Sequence, residues 1–175
     1  LNEITGVKRD VRAAALDAQP VPLRRDGAPF EKLQARRLAA QEHRPLAGRV
    51  FTACLGDYAG YMPRLEFARG FFQVAGFETT GDGFYTDSQA AVEAARQDGA
   101  RTVVLVGRDD TYAELAADVA RALSEGPEPP LILLAGAPGE GESSLREAGV
   151  SAFVHVRSNV LSELNSVLDK MEEQS

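Results

Sequence analysis

Thr102-Val103-Val104-Leu105-Val106-Gly107 is the stretch that decides the fold. It is too short for a typical helix, and the residues on both of its alternating faces are apolar or β-branched. That is the signature of a strand buried on both sides, at the centre of a parallel sheet. Thr111 and Glu114 just behind it have the spacing of a capping box. The helix they open turns Tyr112, Leu115, Ala116, Val119 and Leu123 inward.

Working outward, the same grammar repeats. Upstream, Arg49 to Leu55 reads as a buried strand closed by Gly56, followed by a helix from Met62-Pro63 whose Leu65, Ala68, Phe72 and Ala75 share a face. Phe77 to Thr80 is a short strand before the Gly81-Asp82-Gly83 turn, and a helix runs from about Asp87 to Gln97 with Gly99 past its end. Downstream come a strand at Leu131 to Leu134, a helix at Ser143 to Ala148 and a strand at Ser151 to Val156. A last helix aligns Leu161, Leu164, Val167, Leu168 and Met171. Five strand–helix units imply an α/β, doubly wound, five-stranded parallel sheet with helices on both faces.

The first 48 residues follow other rules. From Lys8 to Pro45 the chain lacks sustained periodicity and is punctuated by Pro20, Pro22, Pro29 and Gly27, as in an extended N-terminal arm. One short helix is predicted there, Phe30 to Ala40, with Phe30, Leu33 and Leu38 on its apolar face. Leu1 to Val7 reads as the end of a preceding domain in a longer polypeptide. The expected division is therefore 1–48, preceding segment and arm, and 49–175, the α/β domain.

The chain has 175 residues and a net charge of −7. Residues 1–48 carry +3 and residues 49–175 carry −10. The acidic balance argues against nucleic-acid binding. No apolar run approaches the roughly 20 residues of a membrane span. One cysteine, Cys54, excludes an internal disulfide, and with two histidines it leaves little material for a His/Cys metal cage. A cytoplasmic protein is the expectation.

In a doubly wound sheet, ligands sit beyond the carboxyl ends of the strands. The loops concerned are 56–62, 107–111 and 136–142. The first has neither the G-x-G-x-x-G nor the G-K-[ST] pattern, so its glycines read as turn formers. Asp57 occupies the place of a receiver-type phosphoacceptor, but Arg157-Ser158-Asn159 after the last strand supplies no lysine. Asp109 and Asp110 read as a helix cap complementing the dipole rather than a cation site. The loop Gly136-Ala137-Pro138-Gly139-Glu140-Gly141 reads as a flexible turn. Cys54 and His155 belong to buried strands, His43 to the solvated arm, and Ser143-Ser144 to a helix cap without an activating histidine. No catalytic, cofactor-binding or metal-binding residue is assigned.

The region 49–175 resembles the cobalamin-binding domain at the C-terminus of coenzyme A mutases. The likeness runs through the first strand, Ala68-Arg69-Gly70-Phe71-Phe72, Ala91-Val92-Glu93-Ala94-Ala95 and Leu145-Arg146-Glu147-Ala148-Gly149-Val150. Ile4-Thr5-Gly6-Val7 is similar to the end of that family's preceding barrel domain. Within the family it looks like the methylmalonyl-coenzyme A mutase small, or beta, subunit, and so implies a flavodoxin-like fold. Family members that bind cobalamin carry D-x-H-x-x-G after the first strand, the histidine ligating cobalt. One register puts Tyr58, Gly60 and Pro63 at the three motif positions. A shift by one keeps Asp57 but brings Ala59 and Met62 to the other two. Neither supplies an imidazole. The family's S-x-L is Gly107-Arg108-Asp109 here, and its paired glycines are Ala135-Gly136. The resemblance therefore implies a non-catalytic assembly role, no cofactor bound by this domain, and cobalamin held by a partner, the mutase large (alpha) subunit. Two alternatives stay open: cobalamin bound base-off without a histidine ligand, and a stand-alone receiver-like regulatory or small-molecule-binding domain.

Overall fold

The computed structural model describes residues 27–43, 48–81 and 83–173. Its elements are α1 (Ala28–His43), β1 (Arg49–Leu55), α2 (Tyr58–Gln73), β2 (Glu78–Thr80), β3 (Phe84–Tyr85), α3 (Ser88–Asp98) and β4 (Thr102–Val106). Then follow α4 (Asp109–Thr111), a π-helical turn (Tyr112–Ala116), α5 (Ala117–Ser124), β5 (Leu131–Ala135), α6 (Glu142–Glu147), β6 (Val150–Val154) and α7 (Val160–Glu173). The strands are all parallel, in the order β2-β1-β4-β5-β6, with β3 also on β1.

β4 lies at the centre, as its apolar run requires. Its alternating side chains serve two cores: Val104 and Val106 face α1, α2 and α7, whereas Val103 and Leu105 face α3, α5 and α6. Each core combines alternate residues of β1, β4 and β5 with one set of helices, so the sheet is wound on both faces.

The sheet has six strands rather than the expected five, because the edge beside β1 is interrupted. β2 pairs with Arg49 to Phe51, and β3 pairs with Cys54 and Leu55. Between them the Thr52 hydroxyl lies 2.7 Å from the Thr80 carbonyl and 2.8 Å from that of Gly81. Gly81 has φ +88°, and a Cβ there would stand 2.6 Å from the Thr52 carbonyl oxygen. The break therefore needs glycine on both steric and conformational grounds.

Part of the expected arm is structural. α1 covers 28–43, longer than the Phe30 to Ala40 prediction, and puts Leu33 into the same core as α2 and α7. Arg36 ties it to Asp169 at 2.7 Å and to both Glu172 carboxylate oxygens, at 3.0 and 2.7 Å. Leu38 does not share the buried face and is 52% exposed. Five residues advance a helix by about 140° beyond a full turn, so Leu33 and Leu38 cannot point the same way. Arg37 goes inward instead, beside Gly48 and Gly76. The first part of the expected arm, residues 8–26, lies outside the described residues, as does Asp82 of the predicted turn.

Several boundaries differ from the sequence expectation. α2 begins at Tyr58, with Asp57 as its cap accepting from the Gly60 amide at 2.8 Å, so Pro63 falls inside the helix. The capping box at Thr111 does not form. The helix opens earlier, at Asp109, and Thr111 packs against Gly56 instead. Asp109 and Asp110 lie in the first turn, complementing its dipole, but neither is the N-cap residue, which is Arg108. Ser143 and Ser144 likewise sit within α6, after Gly141 at the cap position. β6 stops at Val154, leaving His155 half-buried just beyond the sheet.

Candidate functional site

The strand order reverses at β1: the chain steps from β1 to β2 on one side, then crosses to β4 on the other. The switch-point crevice therefore lies where β1 and β4 end, above Gly56 and Gly107. A cluster of three side chains from α2, the π-helical turn and the loop after β4 closes it.

Tyr112 is the buried member. Its hydroxyl accepts from the Gly107 amide at 2.8 Å and donates to the Ala135 carbonyl at 2.7 Å, with the Leu105 carbonyl at 3.2 Å. One phenol thus stitches the ends of β4 and β5 together. Burial pushes its pKa up to about 12, and Asp109 adds to the rise. Arg64 and the Gly107 amide oppose it. The ring packs closely over Gly107 and Gly136: a Cβ at Gly107 would crowd it at 3.2 Å, and one at Gly136 would touch it at 3.4 Å.

Arg64 reaches over that ring, its guanidinium carbon 5.2 Å from the centroid. It donates to the Gly107 carbonyl at 2.6 Å and to Asp109 Oδ1 at 2.6 Å. Burial works against its charge, but Asp109 and Tyr112 outweigh this and raise its pKa. Arg108 pairs with Asp110 at 3.1 Å. Both aspartates at the start of α4 are thus matched by arginines, leaving a shallow recess beside Gly60 and Pro63. Among the described residues no group of three or more His, Cys, Asp or Glu side chains is placed to hold a metal ion.

The remaining candidates stay apart. Cys54 is buried in β1, its thiol 3.8 Å from the Thr52 carbonyl. Ser143 and Ser144 are exposed on α6. The side chain of His43 lies outside the described residues. His155 stands at the end of β6, three strands across from β1, or roughly 14 Å at ordinary strand spacing. Histidine-ligated cobalamin requires an imidazole just after β1, and the cap and first turn of α2 offer Asp57, Tyr58 and Ala59 there. Tyr112 and Arg64 also fill the space above Gly107 and Gly136. The residues present do not fit a histidine-ligated cobalamin.

Sequence reasoning missed Tyr112 and Arg64, reading the first simply as a core residue. The signal was present in Gly107 and Gly136, whose absent side chains make room for the ring.

The class defined by this geometry is a doubly wound, flavodoxin-like α/β domain with a filled switch point. Among solved structures, the signal receiver domain of the putative response regulator NarL from Mycobacterium tuberculosis matches 71% of the chain and 95% of its own length. The TM-score is 0.51 and the identity 20%, a likeness of fold alone. No protein-family profile matches the chain. Curated relatives are more specific. The methylmalonyl-CoA mutase small subunit of Streptomyces virginiae is 33% identical over 165 residues, 94% of this chain and 25% of that protein. Its counterpart from Porphyromonas gingivalis is 32% identical over 155 residues, 87% of this chain and 23% of that protein. By sequence, then, the chain is a relative of the methylmalonyl-CoA mutase small subunits, and it spans about a quarter of their length.

Proposed function

We propose that this chain is a non-catalytic assembly domain in the small subunit of a heterodimeric methylmalonyl-coenzyme A mutase. The interconversion of methylmalonyl- and succinyl-coenzyme A, and the cobalamin it requires, would belong to the large subunit. The observation that carries the reading is the loop between β1 and α2. Nearly the whole chain aligns with mutase small subunits, yet this loop has no imidazole. The Tyr112 and Arg64 plug supports it, because those side chains stabilise the strand ends instead of leaving a cradle. A domain of this kind keeps its fold through packing and its partner, while residues suited to a cofactor are free to change. The expected setting is the cytoplasm. No helix among the described residues is long and apolar enough to cross a membrane.

Two measurements test this together. Titrating the chain with adenosylcobalamin should leave the cofactor spectrum unchanged, and mixing it with the mutase large subunit should give a stoichiometric complex. A saturable spectral change with the chain alone would replace this reading with base-off cobalamin binding. Failure to bind the large subunit would remove the assembly role.

A further inference from the structure

A second cleft, which shares Arg64 and Gly136 with the plugged switch point but not Tyr112, opens between α2 and the loops after β5 and β6. Its volume is about 290 Å³, near the lower end of the roughly 300–1,000 Å³ common for ligand sites. Pro63, Phe67, Ala135 and Val154 give it an apolar lining, and His155 and Arg157 stand at its rim. No carboxylate lines it, although residues 49–175 carry a net charge of −10.

The turn after β6 prepares those rim groups. The His155 amide donates to Ser158 Oγ at 3.1 Å, and the Ser158 amide donates back to the His155 carbonyl at 2.8 Å. The Arg157 amide donates to His155 Nδ1 at 3.2 Å. A nitrogen that accepts carries no proton, so the neutral ring holds its proton on Nε2 and presents a donor. Among the described residues neither that N–H nor the Arg157 guanidinium has an acceptor. Arg64, the other cation here, is already matched by Asp109. Val156, between the two donors in sequence, is 82% exposed. Two unmatched donors beside an apolar lining suit an anion with a hydrocarbon body, and a guanidinium fork matches a carboxylate.

We infer that this cleft binds a small carboxylate with a short apolar chain. The His155 Nε2–H and Arg157 hold the carboxylate, and Phe67 and Val154 line the seat of the chain. The site is independent of the assembly role, so either can fail without the other.

The test is an NMR titration of the 175-residue chain with hexanoate, using hexan-1-ol as its uncharged twin. Hexanoate should shift the signals of Phe67, Val154, His155, Val156 and Arg157 with a Kd on the order of 1 mM. Hexan-1-ol should bind about tenfold more weakly. Arg157→Gln and His155→Leu should each weaken hexanoate about tenfold and leave hexan-1-ol unchanged, with unfolding midpoints monitored alongside. Arg157 is exposed, so its variant keeps the test decisive if His155→Leu does not fold. Equal binding of acid and alcohol, scattered shifts, or no shifts at all would overturn the proposal. So would shifts at these residues produced by the mutase large subunit but not by hexanoate, which would make the cleft a protein contact.

Discussion

At the scale of a residue, Tyr112 does the most to set the character of the switch point. A phenylalanine there keeps the ring packing but leaves the buried Gly107 amide and Ala135 carbonyl without their shared partner. A buried polar group left unpaired costs about 1–3 kcal/mol, so Tyr112→Phe should lower the free energy of unfolding in urea by that order. The same substitution has a pH signature. The folded phenol titrates near 12, against 10.0 for an unperturbed tyrosine. The folded state therefore holds this proton more tightly than the unfolded chain. The stabilisation is present in full below pH 10 and is lost as the pH rises towards 12. Wild-type stability should fall across that window by on the order of 2 kcal/mol more than that of Tyr112→Phe. In an ultraviolet tyrosinate titration the variant should lack the last phenol to ionise. Equal pH profiles for the two proteins would show that the phenol is not held in this way.

At the scale of an element, α1 tests what packing adds to pattern. Leu33 is 2% exposed in the core shared with α2 and α7, whereas Leu38 faces outward. Leu33→Ala should therefore cost about 2–5 kcal/mol, and Leu38→Ala should stay within about 0.5 kcal/mol of wild type. Thermal unfolding of the two variants checks this, and similar midpoints would mean that α1 is not seated on the domain. The pair also marks where the sequence stops being legible. β1, β4, β5 and the helices between them are encoded locally, by apolar runs, helical spacing and stop glycines such as Gly99, whose φ is +73°. α1 has a weak stripe, because its inward position next to Leu33 and Phe30 is an arginine. Arg37 is buried only because Gly48 and Gly76, distant in sequence, make room for it. The Thr111 capping box fails for a similar reason. Gly56, at the end of another strand, leaves space for Thr111, so the helix can start three residues earlier, capped at Arg108 instead of Thr111. The chemistry of the candidate site was least legible of all. Its hydrogen bonds join residues on separate strands and helices, and no local spacing records them.

At the scale of the whole molecule, the charge asymmetry meets the structure in an instructive way. Part of the positive charge of residues 1–48 is spent internally, with Arg36 of α1 bound to Asp169 and Glu172 of α7. Removing everything before β1 would therefore strip Leu33 from the core as well as any docking segment, and the two effects would be confused. The informative deletion ends before α1. Lys8, Arg9, Arg12, Arg24 and Arg25 all precede it, with Pro20 and Pro22 between the two basic clusters, and under the proposed assembly role this is the segment that would cross onto another protein surface. Deleting residues 8–26 should leave the unfolding midpoint close to that of the full chain and reduce affinity for the mutase large subunit. The loss should fade as salt is raised, because exposed charges more than about 10 Å apart are largely screened at 0.1 M ionic strength. Calorimetric titration at two salt concentrations measures both effects. An unchanged affinity at low salt would transfer the assembly role from the arm to the α/β domain itself. A lower affinity with a lower midpoint would show instead that residues 8–26 contribute to the fold.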